Sequence, residues 1–217
     1  MPQVFQPRSN TIARAMLIAI VLLLCLGGWV VYAVYWSPFS TRVRVPLDQP
    51  VPFSHEHHTS GLGIDCRYCH TSVETSAYAG IPATETCMTC HSQLWTDAPM
   101  LAPVRESLAT QTPLEWNRVH DLPDFVYFNH SIHVQKGIGC STCHGRVDRM
   151  PLTWQDKTLY MKWCLECHRD PEKSLRPRSE IFNMAWTPAK DQLARGKELA
   201  SQYRLRDHLT DCSLCHR

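Results

Sequence analysis

No block of basic residues occurs in this chain. Lysine and arginine total 22 against 20 acidic residues, a formal net charge of +2, so nothing in the charge points to nucleic acid. Apolar residues are too few in residues 53–95 for a conventionally packed domain, and regular sheet is not expected. Charge itself is missing from Ala15 to Trp36, AMLIAIVLLLCLGGWVVYAVYW. That run is long enough for a hydrocarbon core, which takes about 20 apolar residues. Tyr32, Tyr35 and Trp36 form an aromatic belt at one end. A cleaved leader would carry an apolar stretch of about 7–15 residues and a small-residue cleavage site. This run is longer, and Gly27-Gly28-Trp29 makes a poor site, so a retained anchor is expected. Cys25, inside the run, reads as a small apolar residue.

Ten of the eleven cysteines fall into five Cys-x-x-Cys-His motifs. These are Cys66/Cys69/His70, Cys87/Cys90/His91, Cys140/Cys143/His144, Cys164/Cys167/His168 and Cys212/Cys215/His216. A two-residue spacer lets both sulfurs form thioethers at one porphyrin edge, and the histidine that follows turns back to ligate the iron. Zinc sites and thiol–disulfide motifs also use Cys-x-x-Cys, but neither needs His directly afterwards. Five covalent c-type haems are expected, held by the ten cysteines with His70, His91, His144, His168 and His216 as proximal ligands. Such attachment takes place outside the cytoplasmic membrane. It orients the chain better than Arg8, Arg14, Arg42 and Arg44, which flank the apolar run evenly. Residues 1–14 are expected in the cytoplasm, 15–36 in the membrane and 37–217 on the periplasmic side.

Two of the motifs close a longer repeat. Phe53-Ser54-His55-Glu56-His57-His58 precedes Cys66, and Phe128-Asn129-His130-Ser131-Ile132-His133 precedes Cys140 with one residue fewer in the spacer. Histidines three apart lie one helical turn apart and can reach two different irons. His55, His58, His130 and His133 are therefore the expected distal ligands. A fifth is needed if every iron is closed. His120 is the first candidate and Met161, just before Cys164, the second; Met184 and His208 follow. His57 is expected at the surface.

The expected order is a tether over 37–52, a first dihaem unit over 53–95, a linker over 96–118, and a second dihaem unit with a terminal haem over 119–217. Helices are expected at Val104–Ala109 and from Thr187-Pro188 to Tyr203, and a surface loop from Asp170 to Arg178. The fold class is mainly α and irregular: a multihaem cytochrome c with a haem-dominated core and one N-terminal transmembrane helix.

The pattern Phe-x-His-x-x-His before Cys-x-x-Cys-His resembles the small multihaem cytochromes of the c3/c7 class. That resemblance implies that His55 caps the haem on Cys66/Cys69 and His130 the haem on Cys140/Cys143. His58 and His133 would cap neighbours, most simply those on Cys87/Cys90 and Cys164/Cys167. Over nearly the full length, RVHDLPDFVYFNHSIHVQKGIGCSTCHG, MKWCLECHR and the terminal LTDCSLCHR resemble the pentahaem subunit of bacterial alternative complex III. The resemblance implies a membrane-anchored electron wire with no catalytic site. Its partners would be polytopic membrane subunits, an iron–sulfur subunit and a monohaem cytochrome c. The alternative is a small anchored multihaem quinol dehydrogenase. The pentahaem nitrite reductases are excluded, because no Cys-x-x-Cys-Lys occurs.

Overall fold

The computed structural model describes residues 5–216, so the first residues of the segment expected in the cytoplasm lie outside the described residues. The chain divides into two compact units, Met1–Arg42 and Val43–Arg217. The first holds the helix Ser9–Trp36, which begins six residues before the uncharged run and buries none of its side chains. A short helix, Pro38–Thr41, follows.

In the second unit no β-strand forms among the described residues; two isolated bridges, Val43 with Gln155 and Ile138 with Leu175, are the closest approach to one. Short helices alternate with turns, and each cysteine motif lies in a helix of four to nine residues. The unit's own apolar side chains make three small clusters instead of one core. Val51, Leu101 and Val104 form one, Val73, Val134 and Ile181 the second, and Leu175, Leu199 and Tyr203 the third.

The segment expected as a free tether is zipped to this unit from Val43 onward. Arg44 N–H donates to the Gln155 carbonyl at 2.8 Å, and Gln49 and Asn117 exchange bonds of 2.8 and 2.9 Å. The linker helix runs Ala102–Thr110, with Pro103 in its first turn where its missing N–H costs nothing. The later helix is Gln192–Gln202, starting five residues after Thr187. Residues 187–191 are exposed, and without a buried face a first turn has nothing to stabilise it. The charged stretch Asp170–Arg178 is not a surface loop throughout, because Leu175 and Arg176 are among the most buried residues in the chain.

Candidate functional site: paired imidazoles along the cysteine motifs

The two copies of the repeat fold alike. Asn129 caps the helix His130–Gln135 by accepting from Ile132 N–H. The matching segment Glu56–Gly61 is a π-helix, the wider coil that absorbs one inserted residue, and it takes up the longer spacer of the first copy. Each phenylalanine sits between two histidines. Phe53 meets His55 edge-on at 4.9 Å and stacks on His58 at 4.4 Å. Phe128 does the same to His130 at 4.8 Å and to His133 at 4.5 Å.

Opposite each of these four rings stands the histidine of a cysteine motif. His55 faces His70 at 6.4 Å between centroids, and the planes are 9° apart. His130 faces His144 at 6.3 Å and 13°. His58 lies 6.2 Å from His91 and His133 lies 6.1 Å from His168, with larger tilts. An iron held from both sides by imidazole nitrogens takes about 2.0 Å per bond plus each ring's radius, on the order of 6 Å between centroids. All four pairs fit that gap.

The outer nitrogens are fixed as a ligating histidine requires. Nδ1 of His58, His70, His130, His133 and His168 each lies 2.7–2.8 Å from a backbone carbonyl, those of Ser54, Gly80, Ala77, Asn129 and Leu209. The His91 Nδ1 is 3.1 Å from the Leu94 carbonyl, and the His55 Nδ1 is 3.0 Å from the Thr153 hydroxyl. Each Nε2 is thereby left free on the inner side. Burial pushes three of these rings towards the neutral form: His133 is lowered, His55 is pushed down to about 4 and His144 to about 3, with burial the largest cause in each case.

The thiols also fit a porphyrin better than the alternatives. Burial pushes Cys140 up to about 11 and Cys143 up to about 12, with neighbouring cysteines adding to it. Redox-active Cys-x-x-Cys motifs depend on a lowered thiol pKa. Among the described residues no cluster of three or more His, Cys, Asp or Glu side chains could hold a metal ion, as a zinc site would need. All eleven cysteines are free.

The motifs neighbour one another in a definite order. Tyr68 Oη and Thr89 Oγ1, 2.9 Å apart, join the first motif to the second, where Cys87 adds to the burial that raises Cys69. Cys66 acts likewise on Cys140, joining first to third, and Cys164 and Cys167 act on Cys143, joining third to fourth. Cys215 in turn raises Cys164, after burial, and the His168 bond to Leu209 holds the fourth motif to the approach of the fifth. The sequence along the molecule is thus second, first, third, fourth, fifth.

The ten attachment cysteines look equivalent in sequence, and the structure corrects that for Cys90 and Cys212. Both are exposed, whereas the other eight are at least half-covered. Cys90 lies near the end of the helix Thr84–His91, and its sulfur has the Thr89 hydroxyl 3.9 Å away. The reason is position in the row. Cys90 belongs to the second motif and Cys212 to the fifth, the two ends, where no further motif packs over the outer sulfur. Cys87, the other sulfur of the second motif, is covered by the cluster of Val51, Leu101 and Val104. A porphyrin bound to Cys87 and Cys90 would therefore be covered at one vinyl corner and open to solvent at the other.

The fifth motif differs in its histidine too. The His216 Nδ1 lies 3.1 Å from the Phe125 carbonyl and its ring stacks on Phe125, but no histidine ring faces it. His120, the first candidate, is elsewhere: its Nε2 lies 3.2 Å from the His144 Nδ1, behind a motif histidine rather than opposite one. Burial first, then His130, pushes His120 down to about 4. His57 stacks on Trp95 at 5.7 Å, and His208 is exposed. Met184 is buried. Met161 is exposed on the first turn of the helix Met161–Arg169, one turn before Cys164. Nothing local in the sequence pointed to Thr153, Ala77, His120's actual neighbour or Arg176, because each acts on residues far along the chain.

Comparison with known proteins agrees with this geometry. Residues 126–217 match the family model "Cytochrome c7 and related cytochrome c". Over 163 residues the chain is 30% identical to the menaquinone reductase multihaem cytochrome c subunit of Nitratidesulfovibrio vulgaris (strain Hildenborough), covering 65% of this chain and 78% of that one. With its cysteine motifs and paired imidazoles, the chain belongs to the multihaem cytochromes c.

Proposed function

We propose that this chain carries five c-type haems in a row and relays single electrons between a quinone-linked membrane complex and a periplasmic redox partner. The four imidazole pairs 6.1–6.4 Å apart carry the reading. Each haem would supply a reversible one-electron iron couple, its potential tuned by the protein around it. The cysteines fix each porphyrin edge, with Cys90 and Cys212 giving the two end haems an open corner for exchange with partners. His70, His91, His144 and His168 hold the proximal side, and His55, His58, His130 and His133 close the distal side. His216 would hold the fifth haem on one side and Met161 would close the other, a Met/His pairing that would raise the potential of that haem. Irons closed on both sides would leave no position for a substrate, which suits an electron-transfer subunit rather than an enzyme.

The helix Ser9–Trp36 is a single-pass anchor in the cytoplasmic membrane, about 42 Å long at 1.5 Å per residue, with the haem-bearing unit on the periplasmic side. One helix cannot enclose a quinone. Quinone chemistry then falls to polytopic membrane partners, and the resemblance to the pentahaem subunit of alternative complex III implies an iron–sulfur subunit and a monohaem cytochrome c beside them. The curated relative supports a second direction of flow, because it belongs to a menaquinone reductase.

The test is the purified holoprotein in detergent. Its mass should exceed the polypeptide by five haems. Small mediators should reduce it, but quinol should not unless the membrane partners are present. Quinol-driven reduction by the isolated chain, blocked by a quinol-site inhibitor, would move the assignment to the anchored quinol dehydrogenases. Within the complex, turnover from quinol to an oxidised cytochrome, or from a reduced cytochrome to quinone, decides the direction.

A further inference from the structure

Arg176 is a buried cation that joins no ion pair among the described residues, although the Glu180 carboxylate acts on it through space. Only 3% of it is exposed. Its backbone is pinned by the N–H bond to the Gly137 carbonyl, 2.9 Å, beside the bridge between Ile138 and Leu175. From there the guanidinium crosses the backbone just ahead of the third motif. Gly139 makes room for it, because a Cβ at Gly139 would run into Arg176 Cζ, Nη1 and Nε. Nη2 donates to Ser141 Oγ at 3.2 Å and Thr142 Oγ1 at 3.1 Å, the two spacer residues between Cys140 and Cys143. Nη1 donates to the Glu180 and Asn183 carbonyls, and Cζ lies 4.2 Å over the Trp186 ring. Nε is buried with no partner.

Every acceptor here is a neutral dipole. None of the ion pairs formed by the described residues includes Arg176. A guanidinium keeps its proton even when burial disfavours the charge. The first motif shows the contrast: its spacer cation, Arg67, is exposed and tied to Asp65 through both Nε and Nη2 at 2.9 Å. The other three motifs carry no cation in their spacers.

We propose that Arg176 is a fixed positive charge that raises the reduction potential of the haem on Cys140 and Cys143, so that the middle station of the row holds an electron more tightly than bis-histidine ligation alone would allow. The proposal rests on the haem-relay reading. Adding an electron to an iron lowers its local charge by one, and a nearby buried cation favours that state. Arg176 itself neither gains nor loses an electron or a proton. A unit charge some 10 Å away at an effective dielectric near 20 shifts the reduced-to-oxidised ratio on the order of tenfold, or about 59 mV for one electron.

The experiment is a redox titration of the full-length holoprotein, followed optically and by electron paramagnetic resonance, for wild type, Arg176→Met and Arg176→Lys. In Arg176→Met one of the five one-electron steps should move to lower potential by at least that factor while the others stay. Arg176→Lys, which keeps the charge and loses the fork, should stay near wild type. In a His130→Ala background, where this haem is marked by a high-spin signal, the shift should appear in that signal. Unchanged potentials in a fully haem-loaded Arg176→Met protein would overturn the proposal, as would equal shifts in the Met and Lys variants. Loss of this haem from Arg176→Met alone would assign the residue to attachment and overturn it too. A wild-type chain without haem on the Cys140/Cys143 peptide would instead fail the underlying relay reading.

Discussion

Phe53 and Phe128 perform one task twice: each presents its edge to one imidazole and its face to the next. Aromatic contacts of this kind contribute about 0.5–1.5 kcal/mol beyond area burial, and here they also set the ring angles. Those four histidines could be picked out because a repeat put them in equivalent places. The fifth distal position had no repeat behind it, and His120, upstream of the second copy, looked equivalent to any free imidazole. In the structure its Nε2 meets the His144 Nδ1 across 24 residues of chain. The exposure of Cys90 was hidden for a similar reason, since a motif reads the same at the end of a row as in its middle. The two ligand substitutions should therefore behave differently. Met161→Ala should open one haem, seen as a high-spin signal and new carbon monoxide binding to the reduced protein. His120→Leu should remain low-spin throughout and bind none. Carbon monoxide binding by the His120 variant, with Met161→Ala unresponsive, would restore His120 as the distal ligand.

The elements are short because the motifs leave little room between them. Spacing alone told that two helices would carry the paired histidines, since three residues make a turn. It did not tell that the extra residue of the first copy would widen one of them into a π-helix, because a loop could have absorbed it equally well. The helix Gln192–Gln202 owes its start to a tertiary contact rather than to Thr187-Pro188. Gln192 donates through Nε2 to the Glu172 and Leu175 carbonyls at 2.9 and 2.8 Å. Gly196 lets the helix lie directly on the turn Pro171–Lys173, and a Cβ there would meet the Glu172 backbone. Gly196→Ala should thus destabilise the protein by about 1–3 kcal/mol despite alanine's better helix propensity. Thermal unfolding checks this, and a Tm equal to or above wild type would show that the turn yields easily.

Across the whole second unit, the two copies of the repeat are braced by each other. Glu56 N–H donates to the Met150 carbonyl and the His55 ring meets Thr153, while Ser131 N–H donates to Ser76 and the His130 ring meets Ala77. The exchange is reciprocal, and it explains why residues 43–217 pack as one unit although the sequence reads as two haem segments and a linker. Long-range bonds of this kind leave no local trace in composition or spacing. A chain ending at residue 118 would keep both motifs of the first copy but lack Thr153 and Met150. With its haems attached, such a fragment should bind carbon monoxide in the reduced state where the full chain does not, and a wholly low-spin, unreactive fragment would show the brace to be dispensable. The same bracing gives maturation a timetable. Synthesis runs from the N-terminus, so the first two haems can be attached long before Thr153 is made. During that interval the His55 ring would lack the Thr153 hydroxyl at its Nδ1. Escape from that period depends on how fast the remaining chain arrives, which makes the spacing between the two copies a clock on biogenesis as well as a feature of the fold.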